Sequence, residues 1–508
     1  MSRVWFERPA IATLLIACAV LPLLWPAIPP LNDLPAHIGR YHIAATLAQS
    51  PALQAHWRYE WALVGNLGVD LPAIWLARWI GAEAAAKWVV LTIPGLFVGG
   101  LIALARVRGL RVPPLAAVAA TLAYGQAFQL GFVNFALAAA LALWVLAGWI
   151  ALAPRSGLRL ALLTPAACAL WVAHSFGWGL FGLGAFAGDL ALRRERGEPW
   201  ARATIRAALS CAPLALPILV MLAAPQGEAQ PLAWDFRAKA VWIAGLLRDR
   251  WKGFDVASAI LIVGLVWTAI RHRAFAFDRV LGAVAAVLVA AFVLLPRLAL
   301  GGAYVDMRML APALAVALIA VRIADARLAG RVALAALAFL LVRTAATTVS
   351  FLGYAERQQA ALAIVPAIPR GASVLVLVNE ACASAWRSER LGHMAGIAEV
   401  RRDIFDNGQW TISGQQLLSH RHPAAAPYDR DPSQLVYPKA CEYAPTDFAA
   451  AVRDADRGTF THVWTIDFAP RPLLAPDVIE EATAGPSTLY RIAAGRGATR
   501  LSAPAPTR

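Results

Sequence analysis

Three side chains that could take part in acid–base or phosphate chemistry follow the first apolar segment of the chain. Asp33, His37 and Arg40 are spaced at i, i+4 and i+7, and they share one face if Pro35 lies in the first turn of a helix. Asp33 then lies near the N-cap. A carboxylate can act as a general base, and a guanidinium can bind phosphate oxygens. The alternative is a capped helix at the membrane surface with solvated charges.

The composition indicates which class of protein positions these side chains. Of the 508 residues, 59% are hydrophobic and 15% are charged, and the mean hydropathy is +0.58. These values exclude a soluble globular protein. The net charge of +15 comes largely from arginines in short loops between apolar segments, so it indicates membrane topology and no nucleic-acid partner. The sequence predicts a polytopic protein that contacts membrane lipids.

About eleven apolar segments are candidates to span a bilayer. They lie at residues 9–28, 84–105, 112–128, 132–153, 160–174, 176–192, 205–224, 254–270, 279–296, 308–322 and 330–352. We expect the first to be retained, because no small-residue cleavage site follows it. The two short segments on either side of His174 have an alternative, which is one long helix with a break at Gly177 and Gly179.

The basic loops between these segments predict their orientation. Arginines concentrate near residues 106–111, 155–159, 193–206, 271–273 and 322–331. All of these loops fall on one side if the N-terminus is cytoplasmic, and an odd number of spans then places the C-terminus outside. The Ala- and Arg-rich composition favours a Gram-negative source. We therefore expect a multi-pass protein of the bacterial inner membrane with a periplasmic C-terminal domain.

This topology places four regions outside the membrane, at residues 29–82, about 225–253, about 297–308 and everything after residue 353. Residues 29–82 form a loop that is rich in Trp and contains two interfacial segments, at 34–49 and 67–80. Charge density rises from about residue 354, and short buried strands are predicted at residues 373–378, 462–467 and 487–492. The predicted fold class is mainly α. The predicted architecture is a polytopic membrane helical bundle that carries a small C-terminal α/β domain. The predicted divisions are 1–353, 354–495 and a disordered tail at 496–508.

The C-terminal domain contains only two cysteines, Cys382 and Cys441. The outward topology places them in an oxidising compartment, so we predict a disulfide between them. The alternative is a pair of free buried thiols.

Other polar side chains at the edges of predicted spans are candidates to face an outward-opening cavity. Ionisable groups are costly there, which makes each a candidate for function. They are Asp70, Asn134, His174, Asp306 and Arg308. His174 has a structural alternative as a hydrogen-bonded histidine, Asn134 as a partner of a neighbouring backbone, and Asp306 as the ion-pair partner of Arg308. The sequence contains no Walker loop, Rossmann fingerprint, zinc-ligand spacing or nucleophile elbow.

The layout resembles the C-type (GT-C) polyprenyl-phosphate-sugar glycosyltransferase superfamily. The shared features are one span, a first outer loop that opens on an Asp, two interfacial helices, many further spans and an outer C-terminal domain. The architecture matches over roughly residues 1–352. The local sequences at residues 32–40, 66–72, 131–135 and 306–308 also resemble uncharacterised bacterial members.

The resemblance implies that Asp33 is the catalytic acid that the family carries in its first outer loop. Many members have a second acid beside it, where this chain has Asn32 and Leu34. No cofactor is assigned, and a divalent metal stays open. The resemblance implies a lipid-phosphate-linked sugar as the donor and a glycan, lipid or protein acceptor at the outer face.

Sugar transfer from a phosphate requires a base for the acceptor hydroxyl and cations for the departing phosphate. Asp33 is the predicted base. The phosphate would be held by arginines, for which the candidates are Arg40, Arg297 and Arg308. His37 and His174 would orient the acceptor or contact the phosphate, and Asp70 would bind sugar hydroxyls. The predicted substrate-binding residues are His37, Arg40, Asp70, Asn134, His174, Arg297, Asp306 and Arg308.

Two alternative functions belong to other classes. A secondary transporter or lipid flippase would also have about eleven spans, with ionisable residues in the middle of several helices and inverted repeats. A non-catalytic assembly protein of envelope polysaccharide synthesis would bind a partner through the region of Cys382 and Cys441. Retained activity after substitution of Asp33 would favour the second alternative.

Overall fold

Helices make up most of the chain, and the largest sheet lies in its C-terminal third. The computed structural model describes residues 5–223, 232–299, 302–380, 385–411, 416–422, 436, 447–469 and 475–493. The helices are α1 (Pro9–Val20), α2 (Leu34–Thr46), α3 (Pro51–His56), α4 (Asp70–Ile80), α5 (Ala82–Arg106), α6 (Ala116–Thr121), α7 (Gln126–Gln129), α8 (Val133–Ala151), α9 (Ser156–Ala173), α10 (Ser175–Glu195), α11 (Trp200–Cys211), α12 (Pro217–Ala223), α13 (Phe236–Ala244), α14 (Lys252–Arg271), α15 (Arg279–Leu294), α16 (Met307–Ile319), α17 (Ala326–Leu362), α18 (Ala395–Arg402) and α19 (Phe448–Arg453). The strands are β1 (Trp57–Tyr59), β2 (Phe275–Phe277), β3 (Leu298–Ala299), β4 (Gly302–Ala303), β5 (Val321–Ile323), β6 (Ser373–Val378), β7 (Phe405–Asp406), β8 (Leu418–His420), β9 (His462–Ile466), β10 (Val478–Ala484) and β11 (Ser487–Ile492).

Long apolar helices confirm the polytopic prediction. Within the described residues, six are long and apolar enough to cross a membrane, namely α5, α8, α9, α10, α14 and the helix that begins at Ala326. A seventh candidate is the pair Trp200–Ala215 and Pro217–Ala223, which is bent by 53°. Shorter apolar helices occupy Pro9–Leu23, Arg279–Leu294 and Met307–Ile319. The remaining predicted segment, 112–128, contains α6, a 3-10 turn and α7 instead of one span.

The two short helices on either side of His174 are separate. His174 has an extended backbone, with φ of −170° and ψ of 129°, and its side chain caps α10. An extended residue interrupts the helical hydrogen-bond ladder, so α9 ends at Ala173. Helix α10 continues through Gly177 and Gly179. The break therefore lies at His174 and not at the two glycines.

The chain divides into two compact units. The first comprises Met1–Leu34, Trp61–Ala355 and Ser413–Leu417, and the second comprises Pro35–Glu60, Glu356–Ile412 and Leu418–Arg508. The second unit therefore draws residues from the predicted loop 29–82 as well as from the C-terminal region. Of the two interfacial helices predicted in that loop, α2 belongs mainly to the second unit and α4 to the first.

Four loops of the first unit meet in one network of ion pairs. The guanidinium of Arg108 contacts Asp278 at 3.1 Å and Glu195 at 2.8 Å. Arg322 contacts the other oxygen of Asp278 at 2.6 Å. Arg108 follows α5, Glu195 is the last residue of α10, Asp278 follows α14, and Arg322 follows α16. The basic loops after these helices thus lie at the same end of the unit, as the predicted alternation of spans requires.

The second unit is built around a five-stranded mixed sheet. Its strand order is β10-β11-β9-β6-β7. Strand β6 is parallel to β7 and β9, and β11 pairs with β9 and β10 in antiparallel fashion. Every residue of β6 and β9 is buried, which explains the continuous apolar run at residues 374–378 of β6. The strands predicted at residues 373–378, 462–467 and 487–492 are confirmed as β6, β9 and β11.

Residues of the predicted loop 29–82 contribute to the core of this second unit. Strand β1 pairs with β8, so that Trp57 lies opposite His420. The side chains of Ile43, Leu53 and Trp57 pack into the apolar cluster that contains Leu375. The predicted disulfide of Cys382 and Cys441 and the predicted tail at 496–508 lie outside the described residues, and they stay predictions.

Candidate functional site

Asp33 is held by the loop between α7 and α8. The backbone N–H of Asp33 donates to the carbonyl of Leu130 at 3.1 Å, and that of Asn32 donates to Gln129 at 3.3 Å. Gly131 has a φ of +92°, and a Cβ atom at this position would lie 2.7 Å from the Asp33 nitrogen. Only glycine fits this backbone and this close approach without strain. The contact fixes Asp33, whose side chain is partly exposed, against the start of α8.

Arg308 places a buried positive charge near Asp33. The arginine is the second residue of α16 and is 9% exposed. Its guanidinium lies 4.5 Å from the ring centre of Phe132, 5.2 Å from that of Phe176 and 5.6 Å from that of Phe135. The carboxylate of Asp33 is close enough to stabilise this charge. We call Phe132, Phe135 and Phe176 the phenylalanine cluster.

His174 joins the same site. Its Nδ1 accepts a hydrogen bond from the backbone N–H of Phe176 at 3.1 Å, which caps α10. Its Nε2 lies 2.9 Å from Nη1 of Arg308. The ring also packs edge-on against Phe135, with the ring centres 5.6 Å apart. The first unit therefore brings together three of the predicted site residues, Asp33, His174 and Arg308.

Asp306 lies two residues before Arg308 but makes different contacts. It is fully buried, and its carboxylate accepts hydrogen bonds from Lys239 at 2.9 Å and from the backbone N–H of Met307 at 2.8 Å. The sequence left open an ion pair between Asp306 and Arg308. The structure instead pairs Asp306 with Lys239, while Arg308 contacts His174. Asp306 thus supports the start of α16.

Arg297 packs against Tyr304, which in turn stacks on the phenylalanine cluster. Its guanidinium contacts Asp235 at 3.0 Å and lies 5.4 Å from the ring centre of Tyr304. The ring of Tyr304 stacks on Phe132 at 6.3 Å, and its φ of +58° is rare for a residue with a side chain. The backbone N–H of Ala238 lowers the pKa of Asp235, and Arg297 lowers it further. Arg297 is thus a second cation at the edge of the cluster.

Asn134 and Asp70 bind each other. The amide nitrogen of Asn134 donates to Asp70 at 2.8 Å and to the carbonyl of Asn66 at 2.7 Å. Its amide oxygen accepts from the backbone N–H of Val69 at 2.6 Å. Both side chains are 3% exposed. The structure therefore matches the alternative in which Asn134 satisfies a neighbouring backbone, and the pair attaches the start of α4 to α8.

His37 and Arg40 belong to the second unit. The ring of His37 stacks with that of Trp410, with the ring centres 5.5 Å apart, and with that of Tyr41 at 6.3 Å. Arg40 is 1% exposed and lies near enough to Glu399 to stabilise its carboxylate. The predicted contact of Arg40 with a phosphate stays a prediction.

Glu399 and Asp406 form a buried acidic pair beside Arg40. Burial raises the pKa of Glu399 well above its usual range, and the neighbouring Asp406 raises it further. Burial also raises the pKa of Asp406 to about 7. Gln409 donates to Glu399 and, at 2.9 Å, to the carbonyl of Ala36 in α2. These contacts attach α2 to α18 within the second unit.

Several residues of the first-unit site were missed by sequence reasoning. The sequence contains one indication that Lys239 has a buried partner, which is that this lysine is followed by the apolar residues 240–244 of α13. The phenylalanine cluster had none, because phenylalanines are common in apolar segments. In the described part of the chain, no group of three or more His, Cys, Asp or Glu side chains is arranged to hold a metal ion.

No protein-family model and no curated protein matches the sequence. The chain is similar to the crystal structure of ArnT from Cupriavidus metallidurans in the apo state, with a TM-score of 0.51 and 13% identity over 96% of this chain and 98% of ArnT. ArnT bound to undecaprenyl phosphate gives a TM-score of 0.48 at 15% identity, over 96% and 98% of the two chains. The arabinofuranosyltransferase AftD from Mycobacteria gives 0.47 at 16% identity, over 98% of this chain and 40% of AftD. The likeness to apo ArnT confirms the predicted fold class, a polytopic helical membrane fold with a small C-terminal sheet region.

Proposed function

We propose that this protein is a membrane glycosyltransferase that moves a sugar from a polyprenyl-phosphate-linked donor to an acceptor hydroxyl. The observation that carries the proposal is the proximity of the Asp33 carboxylate to the buried guanidinium of Arg308. A carboxylate and a cation within electrostatic reach of each other supply the two groups that this reaction requires. The ArnT-like fold agrees with the proposal.

In the proposed reaction, Asp33 takes the proton of the acceptor hydroxyl. The acceptor oxygen forms a bond to the anomeric carbon of the sugar as the bond from that carbon to the phosphate oxygen breaks. The polyprenyl phosphate leaves with the electron pair of the broken bond. Arg308 stabilises the negative charge that accumulates on the phosphate, and the phenylalanine cluster strengthens this interaction by excluding water.

The roles of the other first-unit residues follow from their contacts. Arg297, at 37% side-chain exposure, is a second cation that can meet the phosphate from the edge of the cluster. Asp306 and Lys239 stabilise the start of α16, and Asn134 and Asp70 stabilise the start of α4. We therefore assign these four residues structural roles. The acceptor is a glycan, lipid or protein. We propose no residues as ligands of a divalent metal.

We propose that the protein lies in a bacterial inner membrane with its N-terminus in the cytoplasm. The arginine-rich loops, which the network of Arg108, Asp278 and Arg322 holds at one end of the first unit, support a cytoplasmic position for that end. The second unit is then periplasmic, and the reaction takes place at the outer face.

The test is transfer of radiolabelled sugar from bacterial polyprenyl-phosphate sugars to membrane acceptors by the purified full-length protein. Asp33→Asn keeps the shape of the side chain and removes the base, so we expect a loss of about 10²- to 10⁴-fold. Glu60→Gln is the matched control, because Glu60 is an exposed acid of the same outer loop. Equal transfer by the native protein and Asp33→Asn would reject Asp33 as the base. An absence of transfer with a broad donor pool would favour a transporter or an assembly protein.

A further inference from the structure

His174 lies between two groups that can only donate hydrogen bonds. On one side the backbone N–H of Phe176 points at Nδ1 at 3.1 Å. On the other side Nη1 of Arg308 lies 2.9 Å from Nε2. A neutral imidazole has one acceptor nitrogen and one N–H group, and a guanidinium has no acceptor. One of the two contacts of a neutral His174 is therefore not a hydrogen bond.

The helix cap is the basis for assigning the ring proton of His174. The N–H of Phe176 is an unpaired donor of the first turn of α10, and the Nδ1 lone pair of His174 satisfies it. With Nδ1 as the acceptor of the cap, the ring proton of neutral His174 is assigned to Nε2, where it faces an N–H group of Arg308. Protonating the ring would place two positive charges in contact. The pair is thus arranged as two adjacent donors without an acceptor between them.

Arg308 has further donor capacity at the same place. Its Nη2 donates to the carbonyl of Ala303 at 3.2 Å. Its Nε is buried and has no hydrogen-bond partner among the residues that the structure describes. A buried, unsatisfied N–H group costs free energy that an acceptor would recover. An oxyanion is the acceptor that suits a guanidinium and a neighbouring neutral N–H donor.

The surrounding helices favour an anion at this point. Helix α10 begins at Ser175, next to His174, and α16 begins at Met307, next to Arg308. The N-terminal end of each helix carries a partial positive charge. The phenylalanine cluster lies around the guanidinium and lowers the local dielectric, which strengthens hydrogen bonds to a charged group.

We propose that His174 is a phosphate-binding residue that acts as a neutral Nε2–H donor beside Arg308. One phosphate oxygen accepts from Nε2 of His174 and Nη1 of Arg308 together. The assignment rests on the proposed function for the identity of the anion, which is the phosphate of the polyprenyl donor. It goes beyond that function because it assigns His174 a proton position and a direct contact.

The test uses two substitutions that separate the two nitrogens of His174. In His174→Asn the amide oxygen can still accept from the Phe176 N–H, but the donor at the Nε2 position is lost. In His174→Gln an amide N–H group reaches the Nε2 position, and the cap of α10 is weakened. Binding of undecaprenyl phosphate to the full-length protein in detergent is measured by calorimetry, and folding is followed by thermal unfolding.

We expect His174→Asn to unfold at the native temperature and to bind undecaprenyl phosphate about tenfold more weakly. We expect His174→Gln to unfold earlier and to bind within about threefold of the native affinity. Native affinity in a folded His174→Asn protein overturns the inference. So does an equal loss of binding in both variants at unchanged thermal stability, because the donor retained by Gln would then have no effect.

Two further arms separate this inference from the proposed function. Arg308→Met removes the cation. If this variant binds undecaprenyl phosphate as tightly as the native protein does, both the proposed phosphate site and the inference about His174 are rejected. If Arg308→Met loses binding while His174→Asn keeps it, only the inference about His174 falls. The second arm measures the binding of inorganic phosphate to the native protein. Equal affinity for inorganic phosphate and for the lipid would identify a free-anion site and overturn the assignment to the donor.

Discussion

Lys239 and Asp306 form a buried ion pair in which Nζ lies 2.9 Å from Oδ2. The ammonium also donates to the carbonyls of Phe292 and Leu295 at 2.8 and 3.0 Å, so that its three N–H groups are all used. Asp306 in turn caps α16 through Met307. The helix that carries Arg308 therefore begins at a fixed point, and Arg308 is directed to His174 and not to Asp306.

We expect Lys239→Met to lower the free energy of unfolding by about 3–5 kcal/mol, because it leaves the Asp306 carboxylate buried without its cation. Tryptophan fluorescence during denaturant unfolding in detergent measures the change. The double variant Lys239→Met with Asp306→Asn removes the unpaired charge and keeps the cap, so it should recover most of the loss. Native stability of the single variant would contradict this role for the pair.

Gly131→Ala should reduce sugar transfer by at least tenfold through its effect on Asp33. A Cβ atom at residue 131 would lie 2.7 Å from the Asp33 nitrogen, so the loop that carries the proposed base must move. Gly109→Ala is the matched control, because Gly109 also has a positive φ, of +77°, but has no atom within 4 Å of such a Cβ. Both variants share a backbone cost of about 1 kcal/mol, visible in thermal unfolding. Equal transfer rates in the two variants would show that the approach to Asp33 has no functional effect.

Asn134→Asp should destabilise the first unit by about 2–3 kcal/mol. The substitution replaces the amide donor with a second carboxylate 2.8 Å from the Asp70 oxygen, where both groups are buried. Adding Asp70→Asn exchanges the two side chains and restores a donor–acceptor pair, so part of the stability should return. Thermal unfolding of both variants measures the effect. If the double variant is no more stable than Asn134→Asp, the two side chains are not coupled.

The acidic pair of the second unit predicts a pH-dependent stability. Burial raises the pKa of Asp406 to about 7 and raises the pKa of Glu399 well above its usual range. The folded protein then holds more protons than the unfolded chain between about pH 4 and pH 7, so the free energy of unfolding falls as the pH rises through this window. The pKa values of His56 and His422 are lowered by burial. The contribution of these two histidines to the free energy of unfolding therefore rises as the pH increases towards 6.5.

A comparison with Glu399→Gln isolates the acidic pair from these histidines. The amide keeps an oxygen that can accept from Gln409, and it cannot ionise. From pH 5 to pH 8 the unfolding temperature of the native protein should fall by several degrees relative to that of the variant. Glu356→Gln, at an exposed acid of the same unit, should keep the native profile. Parallel profiles for the native protein and Glu399→Gln would contradict the assignment.

Some contacts of the site could be stated from sequence only as alternatives. A polar residue at the edge of a span must find a partner, but spacing does not identify which one. Asn134 was assigned either to substrate or to a neighbouring backbone, and its contacts with Val69 and Asn66 correspond to the second. Asp306 has a partner 67 positions away in the chain. Such a pairing depends on how α13 and α16 pack, which no local pattern encodes.

The sequence by itself determined the membrane class, the positions of most of the apolar helices, and the strands β6, β9 and β11. Hydrophobic length and alternation decide these features, because each segment must match the solvent that surrounds it. Only the tertiary structure decided that Asp33, His174 and Arg308 meet, and that Pro35–Glu60 belongs with the C-terminal residues. Those features depend on contacts between distant segments, where shape and hydrogen-bond partners select one arrangement among many that the same composition allows.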